Sequence, residues 1–147
     1  MGINMEDLYQ LTKEILEIED IDIRTYSPLV LAYIGDGVYE LIIRTIIVSK
    51  GNIPVNKMHK KSASLVKAGT QSAMMDVLME ELSPEEITVF KRGRNAKSAT
   101  SAKNASIYDY RRATGFEALM GYLYLTGQSN RMTKLIQIGL ERLGKHI

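Results

Sequence analysis

The sequence predicts an all-α domain. Apolar residues recur at helical spacing through almost every segment, capping residues stand where those patterns begin, and Gly or Pro stands where they break. The 147 residues suffice for one ordinary domain with a buried core, and no internal repeat, linker or low-complexity stretch divides them. A single domain over residues 1–147 is expected.

Asn4 is placed to cap a first helix over 4–19, with Leu8, Leu11, Ile15 and Ile18 on one stripe. Ser27 and Pro28 supply a cap and a favoured first residue for a second helix, 27–50, ending before Gly51. At 1.5 Å per residue it would span roughly 33 Å. Leu29, Val30, Leu31, Ile34, Val38, Leu41, Ile42 and Ile46 surround it on nearly every side, the pattern of a central helix packed on several faces. The β-branched run over 42–48 reads alone as a strand. It continues a long helical pattern without a turn signal and is assigned to the helix.

Pro54 opens a basic helix over 54–67, carrying Lys57, His59, Lys60 and Lys61. Another is expected over 70–81 through Met74, Met75, Val77, Leu78 and Met79. Ser83-Pro84-Glu85-Glu86 joins a capping serine, an early proline and first-turn acids, starting a helix to about residue 92. Residues 93–108, with Gly93, Asn95, Ser98, Thr100, Ser101, Asn104 and Ser106, read as a polar loop. A loop of about 16 residues is long for a compact domain, and such loops are often functional. Helix resumes near Arg111 and runs to Gly127. Ser129 or Asn130 caps a final helix ending at Gly144.

Composition excludes several chemistries. The absence of cysteine removes disulfides, thiolate metal sites and cysteine nucleophiles, and agrees with a reducing cytoplasm. His59 and His146 lie far apart in sequence, which argues against a multi-histidine zinc site. No stretch approaches the ~18 consecutive apolar residues of a membrane-spanning helix. The acid-rich beginning lacks the basic start and apolar middle of a secretory signal. A cytoplasmic location without membrane association is expected. The net charge of +2 conceals an asymmetry. Residues 91–112 hold Lys91, Arg92, Arg94, Lys97, Lys103, Arg111 and Arg112 against Asp109 alone, so that window is +6 and the rest is −4. Concentrated positive charge suits a polyanion.

Three features carry candidate chemistry. Asp36 interrupts an apolar stretch, Leu31-Ala32-Tyr33-Ile34-Gly35-Asp36-Gly37-Val38-Tyr39-Glu40, and is expected to be at least partly buried. A buried carboxylate needs a cation or hydrogen-bond donors. Glu40, four residues on, shares its helical face. A structural role stays open, with Asp36 bonded to a neighbouring helix start or paired with an arginine. Glu117 lies among small and apolar residues, and Gly115 and Gly121 would admit another helix backbone. Two inward carboxylates on facing helices can hold magnesium, which often uses only one or two carboxylates and keeps several waters. The ion acidifies a water and offsets charge at phosphorus. The alternative is that Glu117 pairs with Arg44 or Arg112. In the basic loop, Lys91-Arg92-Gly93-Arg94-Asn95-Ala96-Lys97, arginines offer bidentate phosphate contacts and Asn95 can bond phosphates, sugars or base edges. Duplex RNA is recognised mostly through shape, phosphates and 2′-hydroxyls. By composition alone, a solvated, disordered loop is the better reading. Tyr33, Tyr39, Tyr122 and Tyr124 are assigned to core or interface, and the methionines to gap-filling.

These pieces resemble one family. Residues 31–38 look like the signature helix of the ribonuclease III catalytic domain, and Phe116-Glu117-Ala118-Leu119-Met120-Gly121-Tyr122-Leu123-Tyr124 looks like its second metal-binding helix. Residues 64–78 are similar to the helix between them, and the likeness covers about residues 27–140. Gly35-Asp36-x-Val38-Tyr39-Glu40, Arg92-Gly93-Arg94-Asn95-Ala96-Lys97 and Phe116-Glu117-Ala118-Leu119 together resemble the bacterial Mini-ribonuclease III branch, which has the catalytic domain without a double-stranded-RNA-binding domain.

The resemblance implies an all-α endonuclease bundle forming a symmetric homodimer. It implies a magnesium-dependent endoribonuclease, with manganese able to substitute, that cuts double-stranded RNA by metal-activated water and leaves 5′-phosphate and 3′-hydroxyl ends. The implied substrate is precursor 23S ribosomal RNA in the cytoplasm, with a ribosomal protein as a possible helper. Asp36 matches the family's signature aspartate and Glu117 its late metal-binding glutamate. Ala32 and Thr114 stand where longer relatives have carboxylates, so the site is expected to be leaner, with Thr114 supporting a water and Glu40 an additional carboxylate. Lys91, Arg92, Arg94, Asn95, Lys97, Lys103, Arg111 and Arg112 are the expected RNA-binding set, helped by Lys57, Lys60 and Lys61. The rival reading is a catalytically inactive, dimeric RNA-binding or ribosome-assembly factor.

Overall fold

The computed structural model describes residues 8–96 and 106–145. Among them it is all helical: α1 Leu8–Ile15, α2 Pro28–Val48, α3 Val55–Val66, α4 Ala68–Leu78, α5 Pro84–Asn95, α6 Ile107–Leu125 and α7 Ser129–Arg142, with short 3-10 turns at Ile23–Thr25 and Met79–Glu81. The expected cap Asn4, the cations Lys97 and Lys103, and His146 lie outside the described residues.

Helix starts follow local chemistry. The Ser27 hydroxyl accepts the Val30 amide ahead of Pro28. Ser83 and Glu86 form a reciprocal capping box, each side chain bonding the other's backbone amide at 3.1 and 2.9 Å. The β-branched run over 42–48 is helical as expected.

Two boundaries differ around the basic segment. Helix α5 continues through Asn95, beyond the expected end near residue 92, because Gly93 is buried against Gly115 and Ala118 of α6. That packing outweighs the poor helix propensity of glycine. Helix α6 begins at Ile107, earlier than Arg111, because Ser106 caps it by accepting the Asp109 amide at 3.0 Å. Arg94 and Asn95 therefore sit on a helix where a loop was expected.

The central helix is α6, not α2. It packs most extensively on α2, then on α5 and α4. Phe116, Leu119, Met120 and Leu123 of α6 meet Tyr39 and Ile43 of α2, Met74, Met75 and Leu78 of α4, Phe90 of α5 and Leu135 of α7 in one core. The Tyr39 hydroxyl donates to the Leu65 carbonyl at 2.9 Å. Helix α2 instead turns Val30, Tyr33, Leu41 and Val48 outward, with Tyr33 82% exposed. These four lie on one side of the helix, away from α6.

At the α2–α6 crossing the backbones touch. A Cβ on Gly35 would stand 1.8 Å from the Glu117 carbonyl oxygen, and one on Gly121 would stand 1.9 Å from the Leu31 carbonyl oxygen. Neither obstacle is a flexible side chain. Gly35→Ala and Gly121→Ala should each cost at least the roughly 1–3 kcal/mol of an overpacked core. Gly69→Ala, in α4 with open space around it, should instead stabilise by about 0.5 kcal/mol. Urea unfolding of the three variants checks the contrast.

Candidate active site

The Gly35–Gly121 crossing brings two distant parts of the sequence together. Asp36 follows Gly35 on α2, and Glu117 lies one turn before Gly121 on α6. The Gly35 backbone lies against the Glu117 backbone, so the Asp36 carboxylate acts on Glu117 at short range. Glu117 is half-buried, and burial followed by the Asp36 carboxylate pushes its pKa up to about 8, while a hydrogen bond from Gln71 pulls the other way. Two acidic groups in this relation disfavour ionising together, so Glu117 holds its proton into the neutral range.

Asp36 itself is exposed, contrary to the expectation of at least partial burial. Its helical position puts it on the side of Ile43 and Ile47, which are buried. That side is covered toward the C-terminal half of α2, where α3 lies beside Arg44, Ile47 and Val48, and is open at Asp36. The carboxylate pair therefore has one half-buried member and one facing solvent.

The arginines weighed as partners for Glu117 are engaged elsewhere. Arg44 pairs with Glu40 at 2.9 Å, within α2. Glu40, expected as an additional carboxylate, thus has a cationic partner on its own helix. Arg112 bonds Asp76 at 2.5 Å and the Ser72 hydroxyl and carbonyl at 3.0 and 3.1 Å. No ion pair to Asp36 or Glu117 occurs among the described residues. Ala32 is buried against Leu31 and Ala118, and the Thr114 hydroxyl donates to the Tyr110 carbonyl at 3.0 Å with lone pairs remaining.

One neighbour was missed from sequence. The Gln71 amide nitrogen donates to Glu117 Oε2 at 3.5 Å. The available signal was its place in the 71, 74, 75, 78 stripe of α4, where the other three residues are Met74, Met75 and Leu78.

Of the expected RNA-binding residues, Arg94, Asn95, Arg111 and Arg112 converge on a cleft of about 520 Å³, walled also by Ile107 and Tyr108. Lys91 and Arg92 are exposed on the same helix end as Arg94. Arg94 bonds Asn95 at 3.1 Å, and Arg112 lies over the Phe90 and Tyr108 rings. Arg112 is thus a clamp between α4 and α6, its side chain only 11% exposed. Its ties to Asp76 and Ser72 fix its guanidinium at the wall of the cleft. Lys57, Lys60 and Lys61 are exposed on α3, and none lines this cleft.

A carboxylate pair on α2 and α6 and an arginine-rich cleft at the start of α6 are features that suit chemistry on a polyanion. Residues 29–128 match the Ribonuclease III domain family. The chain belongs to the ribonuclease III family. It is an endoribonuclease, and the family acts on double-stranded RNA with a divalent metal. It is 55% identical over 118 residues to the Mini-ribonuclease 3 of Clostridium tetani, covering 80% of this chain and 78% of that one. It is 44% identical over 137 residues to the Mini-ribonuclease 3 of Thermoanaerobacter sp., covering 93% and 92%. A crystal structure of a Fusobacterium nucleatum protein superposes with a TM-score of 0.74 at 32% identity, covering 82% of this chain and 96% of that one. The all-α ribonuclease III fold expected from the sequence is borne out. Among the described residues no helix is long and apolar enough to cross a membrane.

The raised Glu117 pKa sets a pH dependence. Without divalent ions the folded protein keeps a proton that the unfolded chain loses above about pH 4.5, so folding stability should fall as pH rises from there to about 8. Glu117→Gln should flatten that decline, and magnesium should oppose it. Thermal melts at pH 5, 6.5 and 8, in chelator and in magnesium, measure both effects.

Proposed function

We propose that this protein is a magnesium-dependent homodimeric endoribonuclease that cuts double-stranded RNA at the Asp36–Glu117 pair. The observation that carries this reading is the approach of two carboxylates that have no ion pair among the described residues. Their hard oxygen donors fit magnesium. Among the described residues no cluster of three or more acidic, histidine or cysteine side chains competes for the role. Bound there, the ion supplies the Lewis acidity that makes a water nucleophilic at neutral pH and offsets charge on the scissile phosphate.

The protein's own groups do the rest. Asp36, on the open side, meets the phosphate region, and Glu117 anchors the ion from the half-buried side. Thr114 is a candidate support for a water of the site through its free lone pairs. Hydrolysis adds water oxygen to phosphorus and breaks the bond to the 3′-oxygen, leaving 5′-phosphate and 3′-hydroxyl ends. Lys91, Arg92, Arg94, Asn95 and Arg111 hold the duplex through phosphates and sugars. Lys97 and Lys103 extend that set along the sequence. Lys57, Lys60 and Lys61 on α3 form a second basic face for an outlying part of the duplex. Manganese is expected to substitute for magnesium. Precursor 23S ribosomal RNA in the cytoplasm is the proposed substrate, on the likeness to the family branch.

The homodimer rests on α2. Val30, Tyr33, Leu41 and Val48 form an exposed apolar stripe on α2, and Gly37, with open space over its Cα, lies in the same stripe. An apolar stripe of this kind is a usual mark of an association surface. Pairing two copies through it gives the two sites needed to cut both strands.

Two experiments test these readings. On a long RNA duplex with magnesium, Asp36→Asn and Glu117→Gln should each reduce cleavage by at least about 10³-fold while duplex binding persists, as expected when transition-state charge stabilisation is removed. Absence of cleavage by the unaltered protein across salt and metal would select the inactive RNA-binding reading. Leu41→Arg should shift the dimer to monomer in sedimentation velocity runs, and a dimer unchanged by that charge would place the interface elsewhere.

A further inference from the structure

Gln71 is the polar exception in a buried row. It is 1% exposed, and Met74, Met75 and Leu78, which share its stripe on α4, are fully buried. Leucine or methionine would fill such a position without the cost of desolvating an amide. A buried amide is tolerated when it is hydrogen-bonded, and the partner of this one is Glu117 Oε2.

We infer that Gln71 is a positioning residue for Glu117, holding one carboxylate oxygen by an amide N–H so that the other is presented to Asp36 and the cation. The inference rests on the two-carboxylate reading above. Three contacts fix the geometry on either side of Gln71. The Thr70 hydroxyl donates to the Ser64 carbonyl at 2.6 Å, tying the start of α4 to α3. Arg112 of α6 bonds both the hydroxyl and the carbonyl of Ser72, and reaches Asp76 one turn further along α4. Helices α4 and α6 are thus clamped at the residue next to Gln71, which sets how close its amide stands to Glu117.

The choice of an amide follows from charge. Lysine or arginine at position 71 would also donate to Glu117, but would neutralise it and repel a divalent ion. A serine side chain on α4 would be too short to span the distance. Glutamine donates at every pH, carries no charge, and leaves the carboxylate's negative charge for the cation. Groups that orient metal ligands from behind typically change metal affinity or activity 10- to 100-fold, roughly, when removed.

The test uses Gln71→Leu and Gln71→Met, two replacements that keep the volume and lose the N–H, so that one serves if the other misfolds. Magnesium binding to the free protein is measured by titration calorimetry, beside the magnesium concentration giving half-maximal cleavage and the duplex affinity without metal. The expected result is a rise of about 10-fold or more in both magnesium constants, with duplex affinity unchanged. A space-filling role predicts magnesium constants within twofold of the unaltered protein in a folded variant, and that result overturns the proposal. Asp36→Asn and Glu117→Gln run in parallel separate the two ideas. If they weaken magnesium binding and the Gln71 variants do not, only the positioning role fails. If none of the four changes it, the two-carboxylate reading fails with it.

Discussion

Gly35 and Gly121 allow the backbones of α2 and α6 to meet without a side chain between them, and the arrangement of the site is set from that contact. The residue after Gly35 is Asp36, and the peptide oxygen that Gly35 touches belongs to Glu117. A methyl group at either glycine would force the helices apart, and with them the two carboxyls. The same device recurs on the other side of α6, where Gly93 and Gly115 bring α5 close and set the arginines of its last turn beside the start of α6. Small residues thus give α6 its central place, although its sequence is less apolar than that of α2.

Charge is distributed around this frame with a consistent logic. Several carboxylates away from the crossing are paired with arginines: Glu40 with Arg44, Asp76 with Arg112, and the buried Glu86 with Arg131. At the crossing two carboxylates meet with only an amide in attendance. Charges that serve the fold are paired locally, where removing a partner would leave an uncompensated group. In the proposed reading, the charge at the crossing is left for an ion to complete. Arg112 belongs to the first class and holds α4 in place.

Much of this was legible in the sequence. Helix existence followed from periodicity and caps, because both are local: Ser27-Pro28 and Ser83-Pro84-Glu85-Glu86 start helices wherever they occur. Asp36 and Glu117 stood out because each carboxylate interrupts a run of apolar and small residues. The extent of α5 past Gly93 and the start of α6 at Ile107 were less legible. The first depends on a glycine packed against a helix far along the chain, and the second on a serine cap hidden in a polar run.

The sequence by itself determined that the chain is a helical domain with two unusual carboxylates and one basic segment, since periodicity, capping and composition act over a few residues. Only the tertiary structure decided which helix lies at the centre, which arginines are already engaged, that Asp36 faces solvent, and that Gln71 reaches Glu117. Those outcomes depend on which backbones can approach one another. That is a matter of side-chain volume between residues far apart in the chain, which no local pattern encodes.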